Sequence, residues 1–277
     1  MPSGERLPAL SPVGGLDLVA ALELLRHGEI AVQGRLVDAS NATLFAELRD
    51  GPAAASCVYK PVAGERPLWD FPDGTLAGRE VAAYLVSEAL GWAVVPPTVL
   101  RDGPFGPGMC QLWVETDTSV DLVDVLEPEA VPAGWLHVLD ALGATGEPVV
   151  LGHADDERLR RMAVLDVILN NADRKGGHIL PGPDGVVRGV DHGVCFHVES
   201  KLRTVLWGWA GDELTTMERH ALEELGCALD SGLGTELLSL LTRAEVMTCR
   251  RRVSGLLREG HLPYPGEGWP AIPWPPF

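Results

Sequence analysis

Two hydrophobic periods alternate along the first part of the chain, and one dominates the rest. Asp17 precedes an apolar run with Leu18, Leu22 and Leu25, and Gly28 follows it. Cap, stripe and terminal glycine together predict a helix. From Ile30 the period shortens. Ile30 to Leu36 and Thr43 to Leu48 read as strands, joined by the turn Val37-Asp38-Ala39-Ser40-Asn41-Ala42. Ala55 to Tyr59 reads as a third strand, ending at Lys60-Pro61. Ala77 to Leu90 then predicts a helix closed by Gly91. Val94 to Leu100 and Met109 to Val114 predict a hairpin around Arg101-Asp102-Gly103-Pro104.

Beyond Thr116 the helical period takes over. It predicts helices over Asp121 to Leu126, Trp135 to Leu142, Asp156 to Leu169, Glu213 to Leu225, and Leu233 to Leu257 with breaks. A small β insert interrupts them, Ile179-Leu180 and Val186 to Val190 around Pro181-Gly182-Pro183-Asp184-Gly185. Residues 1–15 are rich in Pro, Gly and Ser and read as a loose arm. Residues 263–277 are too dense in Pro and Trp for a regular helix, so they either cover the fold in an extended form or hang free. No internal repeat is present. The order predicts an α+β fold of two lobes, a β-rich one over 16–116 and a mainly helical one over 117–262. A cleft lies between them, with a hinge near Leu112 to Asp117.

Composition adds limits. With 46% hydrophobic and 22% charged residues, the chain is an ordinary folded protein. Its formal net charge of −17 argues against nucleic acid and against anionic lipid as partners. The five cysteines are scattered, odd in number and without a CxxC pair, which reads as free thiols in a reducing compartment. Neither a signal peptide nor a run of about 18 apolar residues is seen, so a cytoplasmic location is expected.

The candidate chemistry sits in two short polar loops. Asn170-Asn171-Ala172-Asp173-Arg174-Lys175-Gly176-Gly177-His178 is followed by Asp191-His192-Gly193. Phosphoryl transfer needs one carboxylate to meet the proton of the attacking hydroxyl and another to hold the metal on the phosphates. Asp173 and Asp191 suit these parts, although each alone reads equally well as a polar turn. Lys175 is placed to meet the transferred phosphoryl group, and His178 to ligate a divalent ion or bond to Asp173. Lys60, at a strand end, is placed to pair with nucleotide phosphates while a helix carboxylate holds it. Glu80 is the first candidate for that carboxylate and Glu88 the second. Ser40 and Asn41 occupy a turn that could cap phosphate oxygens. No GxxxxGK[ST] or GxGxxG motif occurs. The other histidines, and Trp207 with Trp209, read as structural.

The chain resembles the bacterial branch of the phosphatidylinositol 3- and 4-kinase-like superfamily, an actinobacterial group within the wider protein-kinase-like fold. The resemblance runs from about residue 28 to 259. It is most specific at Val58-Tyr59-Lys60-Pro61, at Glu80-Val81-Ala82-Ala83-Tyr84-Leu85 with Leu90-Gly91-Trp92, and in the two polar loops. It implies a bilobal kinase fold with ATP in the cleft and Mg2+, or Mn2+ in its place. Lys60 and Glu80 resemble the phosphate-pairing lysine and its helix partner. Asp173 and Lys175 resemble catalytic-loop residues, Asp191 the metal-binding aspartate, and the backbone at Val114 the adenine-facing hinge. His178 departs from the pattern, because relatives commonly carry Asn there. Imidazole suits softer ions than magnesium. The expected acceptor is a soluble alcohol or a protein hydroxyl rather than a membrane lipid. A rival expectation is a pseudokinase that binds nucleotide or serves as a scaffold.

Overall fold

A computed structural model describes residues 16–36, 41–266 and 270–277. Helix α1, Leu18–His27, starts where the Asp17 side chain accepts the Ala20 amide at 2.8 Å. Five antiparallel strands follow: β1 (Glu29–Arg35), β2 (Leu44–Asp50), β3 (Ala53–Pro61), β4 (Thr98–Gly103) and β5 (Gly106–Leu112). Their order in the sheet is β1-β2-β3-β5-β4. Between β3 and β4 lies α2, Leu76–Ala89, capped by the Thr75 hydroxyl. Glu65 adds a second cap, taking the Leu76 and Ala77 amides on its two oxygens.

Strand alternation decides which residues reach the cleft. Cys57, Cys110 and Leu112 face α1 and pack on Ala21, Leu24 and Leu25. The opposite side of β5 presents Met109 to Ala77 and Val81 of α2. Lys60 is directly across from Met109 in the β3–β5 register, so its side chain leaves the sheet on the α2 side.

The second lobe is built on α3 (Glu157–Leu169), α4 (Thr216–Leu229), α5 (Gly232–Leu237) and α6 (Arg243–Glu259). Leu159, Met162, Leu165 and Ile168 of α3 meet Leu222 and Leu225 of α4 and Val246 and Val253 of α6. Helices α4 and α6 each begin with a Thr–Glu capping box, Thr215 with Glu218 and Thr242 with Glu245. Ala82, Ala83 and Val86 of α2 join the same core, and buried Arg79 pairs with Glu245 of α6 at 2.6 Å. Through α2 the sheet is therefore fastened to the helical lobe. This is a bilobal α+β fold, a β-rich lobe followed by a mainly helical one.

Two expected helices are strands. Residues 121–126 and 135–142 form β6 (Val123–Leu126) and β7 (Trp135–Leu142), which flank β8 (Pro148–Ala154) in an antiparallel sheet. Within 135–142 a bulge between His137 and Leu139 shifts the register, and Leu139 and Leu142 are left exposed. Pro132, Gly134, Gly143, Gly146 and Pro148 bound the segment too closely for a stable helix, whereas each strand finds a complete ladder. The β insert is as expected, with β9 (Ile179–Pro181) paired to β10 (Val187–Gly189). Residues 270–277 lie across the fold as an extended cover. The Ala271 carbonyl accepts from the Thr204 amide and the Trp207 indole, and the Pro276 carbonyl accepts from the Gly176 amide. The arm expected over 1–15 lies outside the described residues.

Candidate active site

One ammonium joins the two lobes. Lys60 Nζ donates to Glu80 Oε1 at 2.6 Å and to Asp191 Oδ1 at 2.9 Å. The other Glu80 oxygen accepts the His192 amide at 2.9 Å. Glu80, not Glu88, is therefore the helix carboxylate that meets Lys60; Glu88 bonds Tyr84 instead. Burial pushes the Glu80 carboxyl upward, opposed by Lys60. Lys60 in turn holds the Asp191 carboxyl well below the usual range, against the cost of desolvation. Two flanking carboxylates outweigh desolvation at Lys60 and raise its ammonium above the ordinary lysine value, so the charged pair is maintained. Asp191 adopts a left-handed backbone at φ 60°, which aims its side chain into the cleft.

Asp173 leaves the end of α3 after Asn170, itself left-handed at φ 54°. Its half-buried carboxyl is raised by desolvation, with Lys175 the main opposing charge at 3.5 Å from Oδ2. A carboxylate so tuned is a better proton acceptor than a solvated one. His178 approaches from the same loop, with Nδ1 at 3.0 Å from the Asp173 carbonyl and Nε2 at 3.6 Å from Asp191 Oδ2. Burial is the largest cause of its lowered pKa, which favours the neutral ring.

Asp173, Asp191 and Lys60 line one cleft of about 420 Å3, together with Asn41, Arg66 and Arg203. Asn41 reaches it as well, and its side-chain oxygen accepts the Arg66 amide at 2.9 Å, which ties this side chain to the segment after β3. Ser40 lies outside the described residues. Val114 is buried just past β5 and is not part of this lining.

Several residues of the polar loops prove to be supports that sequence reading passed over. Asn170 donates to the His197 and Glu199 carbonyls and accepts the Lys201 amide. Asn171 donates to Asp166 and accepts the Asp173 amide, which fixes the loop just before the carboxylate. Arg174 is completely buried. It pairs with Asp166 of α3, donates to the His178 and Val190 carbonyls, and meets His192 Nε2 at 2.6 Å. One guanidinium thus ties the Asp173 loop to the Asp191 loop. Because Arg174 can only donate, His192 Nε2 accepts and Nδ1 carries the proton. That buried N–H has no partner among the described residues. The only sequence signal for this network was an arginine beside Asp173 and an aspartate inside an apolar helix.

No family model matches the chain. Protein Rv2133c of Mycobacterium tuberculosis (strain ATCC 25618 / H37Rv) is 53% identical to it over 263 residues, covering 92% of this chain and 94% of that protein. The chain belongs to the Rv2133c family. Among solved structures, the Golgi casein kinase matches with a TM-score of 0.47 and 14% identity, over 86% of this chain and 72% of its own. The Helicobacter pylori proinflammatory kinase CtkA matches with a TM-score of 0.41 and 9% identity, over 86% and 94%. These likenesses are too distant to assign any residue, and in this Rv2133c relative the kinase-like layout rests on the geometry of Lys60, Glu80, Asp173 and Asp191.

Proposed function

We propose that the chain is an ATP-dependent phosphotransferase of the phosphatidylinositol-kinase-like type, acting on a soluble alcohol or a protein hydroxyl. The observation that carries this reading is Lys60 held between Glu80 and Asp191, at 2.6 and 2.9 Å, in the cleft that Asp173 also lines. Lys60 balances phosphate charge while Glu80 fixes its position. Asp173 orients the acceptor hydroxyl and takes its proton, and Lys175 steadies the transferred group. The rate comes mainly from preset charges rather than from bonds to the protein.

Asp191 and His178 are the residues that would hold a divalent ion, and their donor chemistry fits one. A carboxylate oxygen and an imidazole nitrogen lie 3.6 Å apart, and both are donors to divalent ions. When bound, the ion supplies neutralisation of the phosphate charge. Among the described residues no group of three or more His, Cys, Asp or Glu side chains forms a closed metal cage.

A soluble acceptor is favoured by the acidic balance of the chain and by the state of its one basic run. Arg250 pairs with Asp230, Arg251 donates to Thr248 and Arg252 to the His197 carbonyl, so the run is not a free cationic face for anionic lipid. No described helix is long and apolar enough to cross a membrane. Single-turnover ATP consumption by the wild type and Asp173→Asn tests the reading. The expected loss is about 10²–10⁴-fold with nucleotide binding kept. Equal, near-background rates with intact binding would mark a pseudokinase instead.

A further inference from the structure

The ring of His178 has a fixed orientation and a fixed tautomer. A backbone carbonyl can only accept, so the 3.0 Å contact between Nδ1 and the Asp173 carbonyl requires the proton on Nδ1. In the neutral ring Nε2 then carries a lone pair, and it points at Asp191 Oδ2 from 3.6 Å. Two acceptors therefore face each other across a gap too wide for a shared hydrogen bond. A divalent cation held by both donors would relieve the facing of two lone pairs.

The donor set is also unusual for magnesium. Asp191 Oδ1 accepts from Lys60, so Oδ2 is the oxygen turned to His178, and the carboxylate charge is shared with an ammonium. The second protein donor is nitrogen rather than oxygen. Magnesium prefers all-oxygen shells, whereas divalent ions of the first transition row, from manganese onward, accept an imidazole nitrogen more readily than magnesium does. Resting on the phosphotransferase reading above, we infer that His178 is a metal ligand that selects a manganese-type divalent ion over magnesium as the partner of the nucleotide. With only two protein donors, ion and nucleotide bind interdependently, each completing the other's site.

The test uses the whole chain, its His178→Asn variant and a non-hydrolysable ATP analogue. Titrations of Mn2+ and of Mg2+, followed by thermal shift and calorimetry, give the metal concentration at half-saturation. In the wild type manganese is expected to be favoured by at least roughly tenfold, and H178N to remove most of that preference by weakening manganese. Electron spin echo measurements on the wild-type manganese–nucleotide complex should show modulation from one imidazole nitrogen. Absence of that nitrogen signal, or an unchanged manganese-to-magnesium ratio in H178N, overturns the role of His178 while metal-dependent nucleotide binding still upholds the phosphotransferase. If neither ion promotes nucleotide binding to the wild type, both readings are overturned together.

Discussion

Replacing Arg174 by methionine would remove a guanidinium buried at 0% exposure against an Asp166 carboxylate that is also at 0%. Methionine keeps much of the volume, so packing is not the main loss. Asp166 would keep its bonds from Asn171 Nδ2 and Thr204 Oγ1 but lose its only counter-charge among its described partners. The His178 and Val190 carbonyls and His192 Nε2 would each lose a donor as well. Leaving one member of a buried ion pair alone costs about 3–5 kcal/mol. At about 2–4 °C per kcal/mol for a chain of this size, the midpoint should fall by roughly 6–20 °C. Urea and thermal unfolding of Arg174→Met, Asp166→Asn and the double variant form a cycle that isolates the pair. The double variant should recover a substantial part of the loss, because the orphaned charge has gone. A single-variant loss below about 1 kcal/mol, within the range of exposed pairs, would refute the reasoning. So would a double variant no more stable than Arg174→Met.

Other expectations concern the cleft and its cover. Glu80→Gln should weaken metal-dependent nucleotide binding, because Lys60 loses half of its anionic support, whereas Glu88→Gln should leave the isotherm unchanged; calorimetry distinguishes them. Asp191 has a carboxyl pKa depressed by Lys60, so its contribution to folding is complete above the ordinary carboxylate value and is lost as pH falls below it. Asp191→Asn should therefore flatten the acid limb of a stability-versus-pH curve, and an unchanged limb would contradict the Lys60 pairing. A Cβ added at Gly176 would lie 2.1 Å from the Phe277 ring. Gly176→Ala should lift residues 270–277 from the Asp173 loop, seen as faster hydrogen exchange at residue 176, while lowering the unfolding midpoint far less than Arg174→Met.

The legible parts of the chain were those with local causes. Asp17 and Gly91 mark helix ends because a cap needs only the adjoining backbone. The Asp173 and Asp191 loops were legible because charged residues interrupt apolar segments there. The 123–154 sheet was not, since its strands are fixed by pairing with one another and a bulge between His137 and Leu139 breaks the simple alternation that would mark a strand. The tie between the Asn41 side-chain oxygen and the Arg66 amide was likewise not legible, because its donor comes from a different segment.

By itself the sequence determined the two-period layout and the chemistry-bearing side chains: Lys60 at a strand end, Glu80 inside a helix, and two carboxylates eighteen residues apart. Only tertiary structure decided that Lys60 chooses Glu80 and Asp191, and that Arg174 serves as the tie between the loops. It also gave His178 its free nitrogen, by placing Nδ1 on a carbonyl. Backbone periodicity is set by neighbours a few residues away. The partner of a buried charge is set by whatever else the folded chain has removed from water with it.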